Sequence, residues 1–522
     1  MTDPGHGGRA TPPSERNGER PPLRPAARYD AVVIGTGIGG LTCAALLARS
    51  GRRVLAVERH DRVGGYAHSF RRGPYLFDAA VHLVGGCEDG GLIDQLLTSL
   101  GVRQRCQFES VDPCYRAEFP GFALAAPTGL AEFRAAHQEA FPDEAGGIAS
   151  YLDDCATIRD ETRRLMSGTQ AAAQRTLEHF PTLHRLRRST VEDALQPVVT
   201  NPRARAALTA LWPYVGLPPK QMSFLYWASM LMSYVEDGSY YCKGTFQVFA
   251  DTLADVVREA GGDVLLRTAV RSIETDTDGV RAVTLDGGRR IATQLVLSNA
   301  DMRQTVEELV GADRFPARYR RHLDRLRPSV SAVVAYLATD LPAAAISAAH
   351  ETFAFDSWDH GQSYDGTMNG SPSWYTLTVP TTIDPSLAPQ GETLVVYTTL
   401  VAFDAVSDWR SNKQRYHDRI AGQLEARVPG SASRIKILEI GTPQTMLRYT
   451  CNSAGALYGW ELSPDQIGPT RPSSTAPVPG LYLAGHWTQP GGGIYGVVTS
   501  GVLAARAMLG LDSDEDLWNS LR

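Results

Sequence analysis

The strongest constraint in the chain is a short apolar segment that runs directly into a glycine-rich turn and then into an Ala/Leu-rich segment. In the G-x-G-x-x-G spacing, Gly35 allows a tight turn, Gly37 lets the backbone approach a pyrophosphate, and Gly40 lets the helix pack closely against the strand. The N-terminus of that helix offers unpaired N–H groups to phosphates. The pattern predicts an α/β fold of the Rossmann type whose dinucleotide site includes Gly35, Gly37, Ile38, Gly39 and Gly40.

The next apolar segment, residues 53–57, ends in Glu58, at the distance of about twenty residues expected for an acceptor of ribose hydroxyls. A carboxylate would repel a 2′-phosphate, so Glu58 favours FAD or NAD over NADP. Arg59 follows, and then the glycine pair Gly64 and Gly65, which resembles the extension of flavoproteins with two dinucleotide-binding domains. FAD is therefore the predicted cofactor.

Composition excludes several classes of function. The 522 residues include 51 basic and 57 acidic side chains, with no basic stripe of the kind that binds nucleic acid, so no nucleic-acid partner is expected. The seven cysteines are scattered without a C-x-x-C pair, which indicates reduced thiols and no metal site. Since no segment reaches the roughly 20 apolar residues of a membrane span, we expect a cytoplasmic protein, with peripheral membrane contact left open.

The length predicts two domains. Residues 1–28 are rich in Pro, Gly, Arg and Ser and predict a disordered tail. The strand, turn and glycine signals predict a discontinuous FAD-binding domain made of residues 27–90, 240–305 and 440–522. Between these pieces, residues 91–239 and 306–439 are predicted to form an inserted α+β substrate domain. Its first half is predicted to be helical, and strands are predicted at residues 331–339 and 392–400. The segment 263–297 predicts a three-stranded meander followed by a return strand.

Five blocks carry a resemblance to a known family. They are Gly35–Gly40, Glu58 with Gly64 and Gly65, Gly73–Asp78, Leu297–Asp301 and Pro479–Gly485. Together they resemble the phytoene desaturase and carotenoid isomerase group of flavoproteins, which includes the retinol saturases. The resemblance implies an FAD-dependent oxidoreductase.

That resemblance also implies roles for residues late in the chain. Val270 would meet the adenine through its backbone, and Gly493 with Ile494 would lie beside the pyrimidine end of the flavin. The same blocks place Asn299, Ala300 and Gly485 at the cofactor. Many relatives carry Gly-Asp after the last strand, whereas this chain has His486 there, so the usual acidic contact to the ribityl chain is replaced by a histidine or lost.

Two further segments, Phe77–Cys87 and His486–Pro490, resemble family members recruited to natural-product pathways, including the phytoene-dehydrogenase-like cyclases of polycyclic tetramate macrolactam assembly. The implied substrate is a long, conjugated, mainly apolar polyene. Desaturation, isomerisation, reduction and reductive cyclisation all remain open, because each begins with the same contact between flavin and polyene. A carotenoid desaturase or isomerase is the alternative within this group.

Side chains for the substrate are predicted from composition. An aromatic and methionine-rich stretch, residues 222–235, is either an ordinary core helix or an adaptable apolar wall. The predicted wall residues are Trp212, Tyr226, Trp227, Met230 and Tyr234. As proton carriers we expect His82 and Tyr495, although a histidine bonded to backbone and a space-filling tyrosine are the plain alternatives.

Two rival functions share the nucleotide-binding domain. An amine oxidase would use an aromatic cage for its amine and would release peroxide. A lipid-binding scaffold of the Rab-escort and GDP-dissociation-inhibitor type would need no flavin, and the backbone glycines Gly64 and Gly65 argue against it. The sequence leaves the oligomeric state and the electron partner open.

Overall fold

The computed structural model describes residues 24–166 and 179–521. Its centre is a five-stranded parallel sheet, the nucleotide sheet, whose strands come from distant parts of the chain. In spatial order these strands are Leu481–Leu483, Val296–Ser298, Ala31–Ile34, Val54–Val57 and Asp263–Leu265. The two strands nearest the N-terminus are buried along their whole length, as expected of a parallel sheet covered on both faces. The predicted Rossmann-type α/β fold is confirmed.

Three helices cover this sheet, and their boundaries follow the expected signals. The first, Ile38–Arg49, begins at the glycine-rich turn and packs against both Phe246–Glu259 and Gly493–Leu509. Gly510, in the left-handed conformation, ends the last of these helices. The first and last of these helices follow the carboxyl ends of the strands Ala31–Ile34 and Leu481–Leu483, so both helices begin at the same edge of the sheet.

The three-stranded meander contains different strands from those predicted. Its strands are Val270–Asp276, Gly279–Leu285 and Arg290–Ala292, and they form a separate antiparallel sheet. The preceding segment, Asp263–Leu265, was expected in the meander but pairs with the nucleotide sheet instead. The strand at Arg290 was not predicted, because it is only three residues long and two of its residues are polar or small.

A second sheet of seven strands, here called the cavity sheet, faces the nucleotide sheet. Its order is Ile435–Gly441, Ser331–Thr339, Thr393–Val401, Trp374–Thr378, Glu351–Phe355, Tyr115–Phe119 and Phe122–Ala126. The last two strands come from the segment that was expected to be wholly helical. The expected domain boundary at residue 440 falls inside the strand that ends at Gly441.

The far face of the cavity sheet packs against the helix Trp409–Arg427 through an apolar cluster that includes Val333, Val395 and Leu377. Helices on the other side close the space between the two sheets. They include Ala145–Met166 and Phe224–Val235, which contact each other, and the shorter helices Leu92–Ser99, Leu130–Ala140, Pro181–Leu186, Val191–Leu195 and Pro202–Leu208. Two hairpin-sized sheets, Ser69–Arg72 with Tyr75–Asp78 and Phe108–Ser110 with Tyr240–Cys242, complete the junction.

Most of the predicted disordered tail, residues 1–28, lies outside the described residues. Its last two positions are paired: the carbonyl of Ala27 accepts from the N–H of Ala292, and Arg28 forms a parallel bridge with the same residue. Across the described ranges no single helix has the length and apolarity to cross a bilayer, and only the bent pair Gly493–Leu509 and Asp514–Ser520 meets both measures jointly.

Candidate active site

A cavity of about 650 Å³ lies between the nucleotide sheet and the cavity sheet. One end is lined by the glycine-rich turn, the residues after the second strand and the start of the helix at Gly493. The other end is lined by aromatic residues and by one face of the cavity sheet. The cavity is therefore polar backbone at one end and mostly apolar side chains at the other.

Two helix N-termini open into the backbone end. The helix at Ile38 has Gly37 as its N-cap, the helix at Gly493 has Gly492, and neither cap supplies a side-chain hydrogen bond. Uncapped N-terminal N–H groups favour anions and polar oxygens, because their donors are unsatisfied and the helix dipole adds positive potential. The two helix N-termini therefore suit a molecule that has two anionic or acceptor-rich parts.

Glu58, directly after the strand Val54–Val57, lines the same end of the cavity as a buried carboxylate. It accepts from the N–H of Thr36 at 2.9 Å, from the Thr36 hydroxyl at 2.8 Å and from the N–H of His60 at 2.8 Å. These three donors hold the carboxylate in place, and a carboxylate has about four acceptor positions, so it can still accept from a sugar hydroxyl.

Asn299 supplies the clearest sign of a missing polar partner. Its Oδ1 atom is buried and has no hydrogen-bond partner among the described residues. A Cβ atom added at Gly37 would lie 2.8 Å from its Nδ2, and one added at Gly485 would lie 2.6 Å from its Oδ1. The glycines thus keep this cradle free of side chains, which is what a dinucleotide diphosphate requires. The residues present fit the predicted FAD.

His486 lines the same cavity in place of the acid that relatives carry. Its Nδ1 lies 3.1 Å from the carbonyl oxygen of Leu457, so Nδ1 carries the proton and donates. Burial lowers the pKa of His486 to about 4, which keeps the ring neutral. Its Nε2 atom can therefore accept a hydrogen bond, as the acid would, without a charge.

Most predicted site residues lie at the cavity. The lining includes Gly35, Gly37, Ile38, Gly39, Glu58, Arg59, Gly64, Gly65, His82, Tyr226, Met230, Tyr234, Val270, Asn299, Ala300, Gly485, His486, Gly493 and Ile494. Gly40 does not line it; a Cβ there would lie 2.3 Å from the carbonyl oxygen of Gly35, so Gly40 serves the close packing of helix on strand. The contacts that each lining residue makes with a bound group stay predictions.

Three predicted residues are placed elsewhere. Trp212 and Trp227 are fully buried core residues: the Trp212 Nε1 donates to His360 Nδ1 at 3.1 Å, and the Trp227 Nε1 donates to the Tyr151 hydroxyl at 2.7 Å. Tyr495 packs outside the lining, with the Arg159 guanidinium 5.7 Å from its ring centre. Other residues of the same helices line the cavity instead, so the structure does not support a wall position for the two tryptophans or a cavity position for Tyr495.

His82 lies on the apolar end with a side chain that is 10% exposed. Its Nδ1 lies 2.9 Å from the Thr378 hydroxyl and 3.5 Å from Oε1 of Glu351. Its carbonyl oxygen lies 3.2 Å from Nε2 of His350. Its Nε2 forms no hydrogen bond with the described residues. A histidine held on one nitrogen and open on the other can move a proton.

The inner face of the cavity sheet lines the cavity with residues that were not predicted from the sequence. The residues on its inner face pair directly across strands, with Val334, Thr398, Thr376 and Phe353 forming one row. The adjacent row contains Thr378 opposite Glu351. Strands were predicted at residues 331–339 and 392–400, but only the pairing of distant strands brings these threonines side by side.

Three hydroxyls of cavity-lining residues have no hydrogen-bond partner within the described part of the chain. They belong to Thr376, Thr398 and Tyr214. Thr376 and Thr398 are direct cross-strand neighbours, and the ring of Tyr214 lies 5.3 Å from that of Phe353 in the same row. Buried hydroxyls normally have a partner, so this cluster points to a polar group of the ligand.

Comparison with known proteins adds a family. The family model described as flavin containing amine oxidoreductase matches residues 38–509. A solved structure, cyclohexylamine oxidase from Brevibacterium oxydans, covers 95% of this chain and 99% of its own length with a TM-score of 0.60 at 18% identity. That likeness concerns the fold.

Three curated relatives are similar over most of their length. The all-trans-retinol 13,14-reductase of Rattus norvegicus is 24% identical over 94% of this chain and 87% of its own. The neurosporene-forming phytoene desaturase of Rhodobacter capsulatus is 29% identical over 91% of this chain and 93% of its own. The chloroplastic prolycopene isomerase of Daucus carota is 26% identical over 94% and 82%. The predicted resemblance is confirmed.

Proposed function

The chain belongs to the flavin-containing amine oxidoreductase family and is an FAD-dependent oxidoreductase of the phytoene desaturase, isomerase and retinol saturase type; on that premise we propose that it acts on a long conjugated polyene that also carries oxygen atoms. The reaction we propose is hydride exchange in natural-product biosynthesis, such as ring formation in a polycyclic tetramate macrolactam. FAD, when bound, accepts or returns the hydride.

The apolar end of the cavity supports a greasy conjugated substrate. Tyr226, Met230 and Tyr234 come from one face of the helix Phe224–Val235, and Trp374 and Leu400 face them from the cavity sheet. Aromatic and methionine side chains give a large and adaptable apolar surface. The names of the three relatives also refer to apolar polyenes, namely retinol, phytoene and prolycopene.

The unpartnered hydroxyls of Thr376, Thr398 and Tyr214 indicate that the substrate is more polar than a pure hydrocarbon. A bound hydrocarbon would leave all of them unsatisfied, at a cost of about 1–3 kcal/mol for each buried group. An enolised dicarbonyl or a similar oxygen function can accept from them. This observation favours an oxygen-bearing polyene over a carotenoid hydrocarbon.

The test compares two polyenes of equal length, one a hydrocarbon and one ending in an enolised dicarbonyl. With flavin-loaded protein we expect product, followed by mass spectrometry, only from the second. The double variant Thr376→Val and Thr398→Val should lower kcat/KM for that substrate by roughly five- to thirtyfold, since each lost hydrogen bond is worth about 1 kcal/mol.

Thr399→Val is the matched control, because Thr399 lies on the same strand and donates to the Trp374 carbonyl on the opposite face. It should leave the preference between the two polyenes unchanged. Equal turnover of both polyenes by the wild type and the double variant would contradict the proposal in favour of a carotenoid enzyme. Peroxide release on addition of an amine would instead identify an amine oxidase.

A further inference from the structure

The geometry points to Glu351 and Thr378 as positioning residues that hold His82 with its proton on Nδ1 and its Nε2 free toward the cavity, where it exchanges a proton with the bound substrate. The inference deepens the proposed function and rests on it only for the identity of that substrate. It concerns three residues that the chain brings together from separate segments.

The contacts are short and their order is set by the sheet. Glu351 and Thr378 are direct cross-strand partners on the inner face. The Thr378 hydroxyl lies 2.6 Å from Oε2 of Glu351 and 2.9 Å from Nδ1 of His82. Oε1 of Glu351 lies 3.5 Å from the same Nδ1. The Thr378 hydroxyl therefore holds the imidazole by a hydrogen bond, and the Glu351 carboxylate lies beside the same nitrogen.

Counting protons assigns the tautomer. A carboxylate only accepts, and a threonine hydroxyl has a single proton to donate. Because that proton goes to Glu351, the Thr378 oxygen must accept from His82, which places the imidazole proton on Nδ1. The neutral ring then carries its lone pair on Nε2, the nitrogen without a partner in the described structure.

Burial strengthens the electrostatic effect of the Glu351 carboxylate on His82. Glu351 is fully buried, and its Oε1 has no hydrogen-bond partner among the described residues. A charge in such a site acts strongly on its neighbour, because little water screens it. Removal of the Glu351 charge would therefore weaken the electrostatic stabilisation of a protonated His82.

Two other titratable groups face His82. Burial lowers the pKa of His350, which keeps that ring neutral while it hydrogen-bonds the His82 carbonyl. Burial raises the pKa of Asp78 to about 6, and its oxygens already accept from Ser69, Tyr241 and the N–H of Phe246. Glu351 is thus the group whose charge is directed at the Nδ1 side.

The proton step balances without another reactant. In a dehydrogenation, bound FAD would supply the hydride acceptor for one hydrogen of the substrate, and Nε2 of His82 would take the other as a proton. The bond to that second hydrogen breaks and its electron pair stays on the substrate, while a new N–H bond forms. The resulting imidazolium is stabilised by Glu351. In a reduction the same proton returns to the substrate.

The kinetic experiment uses Glu351→Gln, Thr378→Val and Thr378→Ser in the flavin-loaded full chain. We expect Glu351→Gln and Thr378→Val to retain flavin and to lose kcat by about tenfold to a hundredfold, with a smaller change in KM. Thr378→Ser keeps the hydroxyl and should restore the wild-type kcat.

A second readout needs no substrate, so it separates this inference from the proposed function. Nitrogen NMR on protein with labelled histidine resolves protonated from unprotonated ring nitrogens, and His82→Ala identifies the His82 signals among those of the 12 histidines. We expect Nδ1 protonated and Nε2 unprotonated in the wild type, and a mixture of tautomers in Thr378→Val.

The inference is overturned if the wild type shows the Nε2–H tautomer, or if Thr378→Val and Thr378→Ser lose activity equally. Should Glu351→Gln fail to fold, the two Thr378 variants decide the question alone. If the oxygen-bearing polyene is not the substrate, the NMR result still stands or falls by itself.

Discussion

Glycines that look equivalent in the first turn differ in what they touch. A Cβ at Gly37 would approach the side-chain amide of Asn299 at 2.8 Å, inside the cavity. A Cβ at Gly40 would approach the carbonyl oxygen of Gly35 at 2.3 Å, which is backbone and cannot move aside. Gly37 is therefore required for ligand binding, and Gly40 is required for the packing of the fold.

We expect Gly37→Ala to lose FAD while keeping its fold, and Gly40→Ala to lower the thermal stability itself. The flavin absorbance per polypeptide and the unfolding midpoint of the flavin-free protein measure the two effects separately. A flavin content equal to wild type in Gly37→Ala would show that the diphosphate does not approach this turn.

At the scale of elements, the buried cation Arg471 joins the loops that precede the helix Gly493–Leu509. Arg471 is 1% exposed and donates to the backbone carbonyls of Tyr458, Trp460, Glu461, Gln466, His486 and Thr488. Burial lowers its pKa to about 10, so it stays charged at neutral pH. These loops carry His486 and lead to the uncapped helix N-terminus at Gly493.

Arg471→Met should destabilise the protein by about 3 kcal/mol or more, because several buried carbonyls lose their donor at once. It should also lower the flavin content, since the loops it fixes line the cofactor end. Arg471→Lys should be nearly as damaging, because an ammonium has only three donors.

Arg327→Met is the control for that experiment. Arg327 pairs with Glu461 and Asp465, but its side chain is 51% exposed. A pair so exposed contributes roughly 0–1 kcal/mol. If thermal unfolding of Arg471→Met resembled that of Arg327→Met, the role of Arg471 as the common donor would be refuted.

For the molecule as a whole, burial of histidines sets the response to acid. His68, His137, His360 and His486 each have a pKa that burial lowers to about 4. In the unfolded chain a histidine titrates near pH 6.5, so between about pH 6.5 and 4 the unfolded state binds more protons. Stability contributed by these groups is complete above that window and falls as the pH drops through it.

We predict a lower unfolding temperature at about pH 5 than at about pH 7, with up to roughly 2 kcal/mol lost for each of these histidines. Buried carboxyls act in the opposite direction; the largest of these shifts is that of Asp78, whose pKa burial raises to about 6, and the pKa values of five others rise less. The four histidine shifts together outweigh them between about pH 7 and 5. His137→Phe, which removes one titrating ring far from the cavity, should reduce the pH dependence. A midpoint independent of pH in this range would contradict the prediction.

The sequence alone determined the features whose parts are adjacent in the chain. The turn at Gly35–Gly40 and the acid Glu58 could be recognised because a strand, a turn and a helix need only local spacing to bind a dinucleotide. The family resemblance extended this to Val270, Asn299 and Gly493, which meet at the cavity although more than 200 residues separate the last two from the first turn.

Only the tertiary structure decided the apolar end. Trp212 and Trp227 have the composition of a ligand wall, yet the rotation of their helices directs them into the core, and Tyr495 points away although its neighbour Ile494 lines the cavity. Thr376, Thr398, Thr378 and Glu351 have no motif at all. They line the cavity together because antiparallel pairing sets distant strands in register, and no local sequence pattern predicts such long-range pairing.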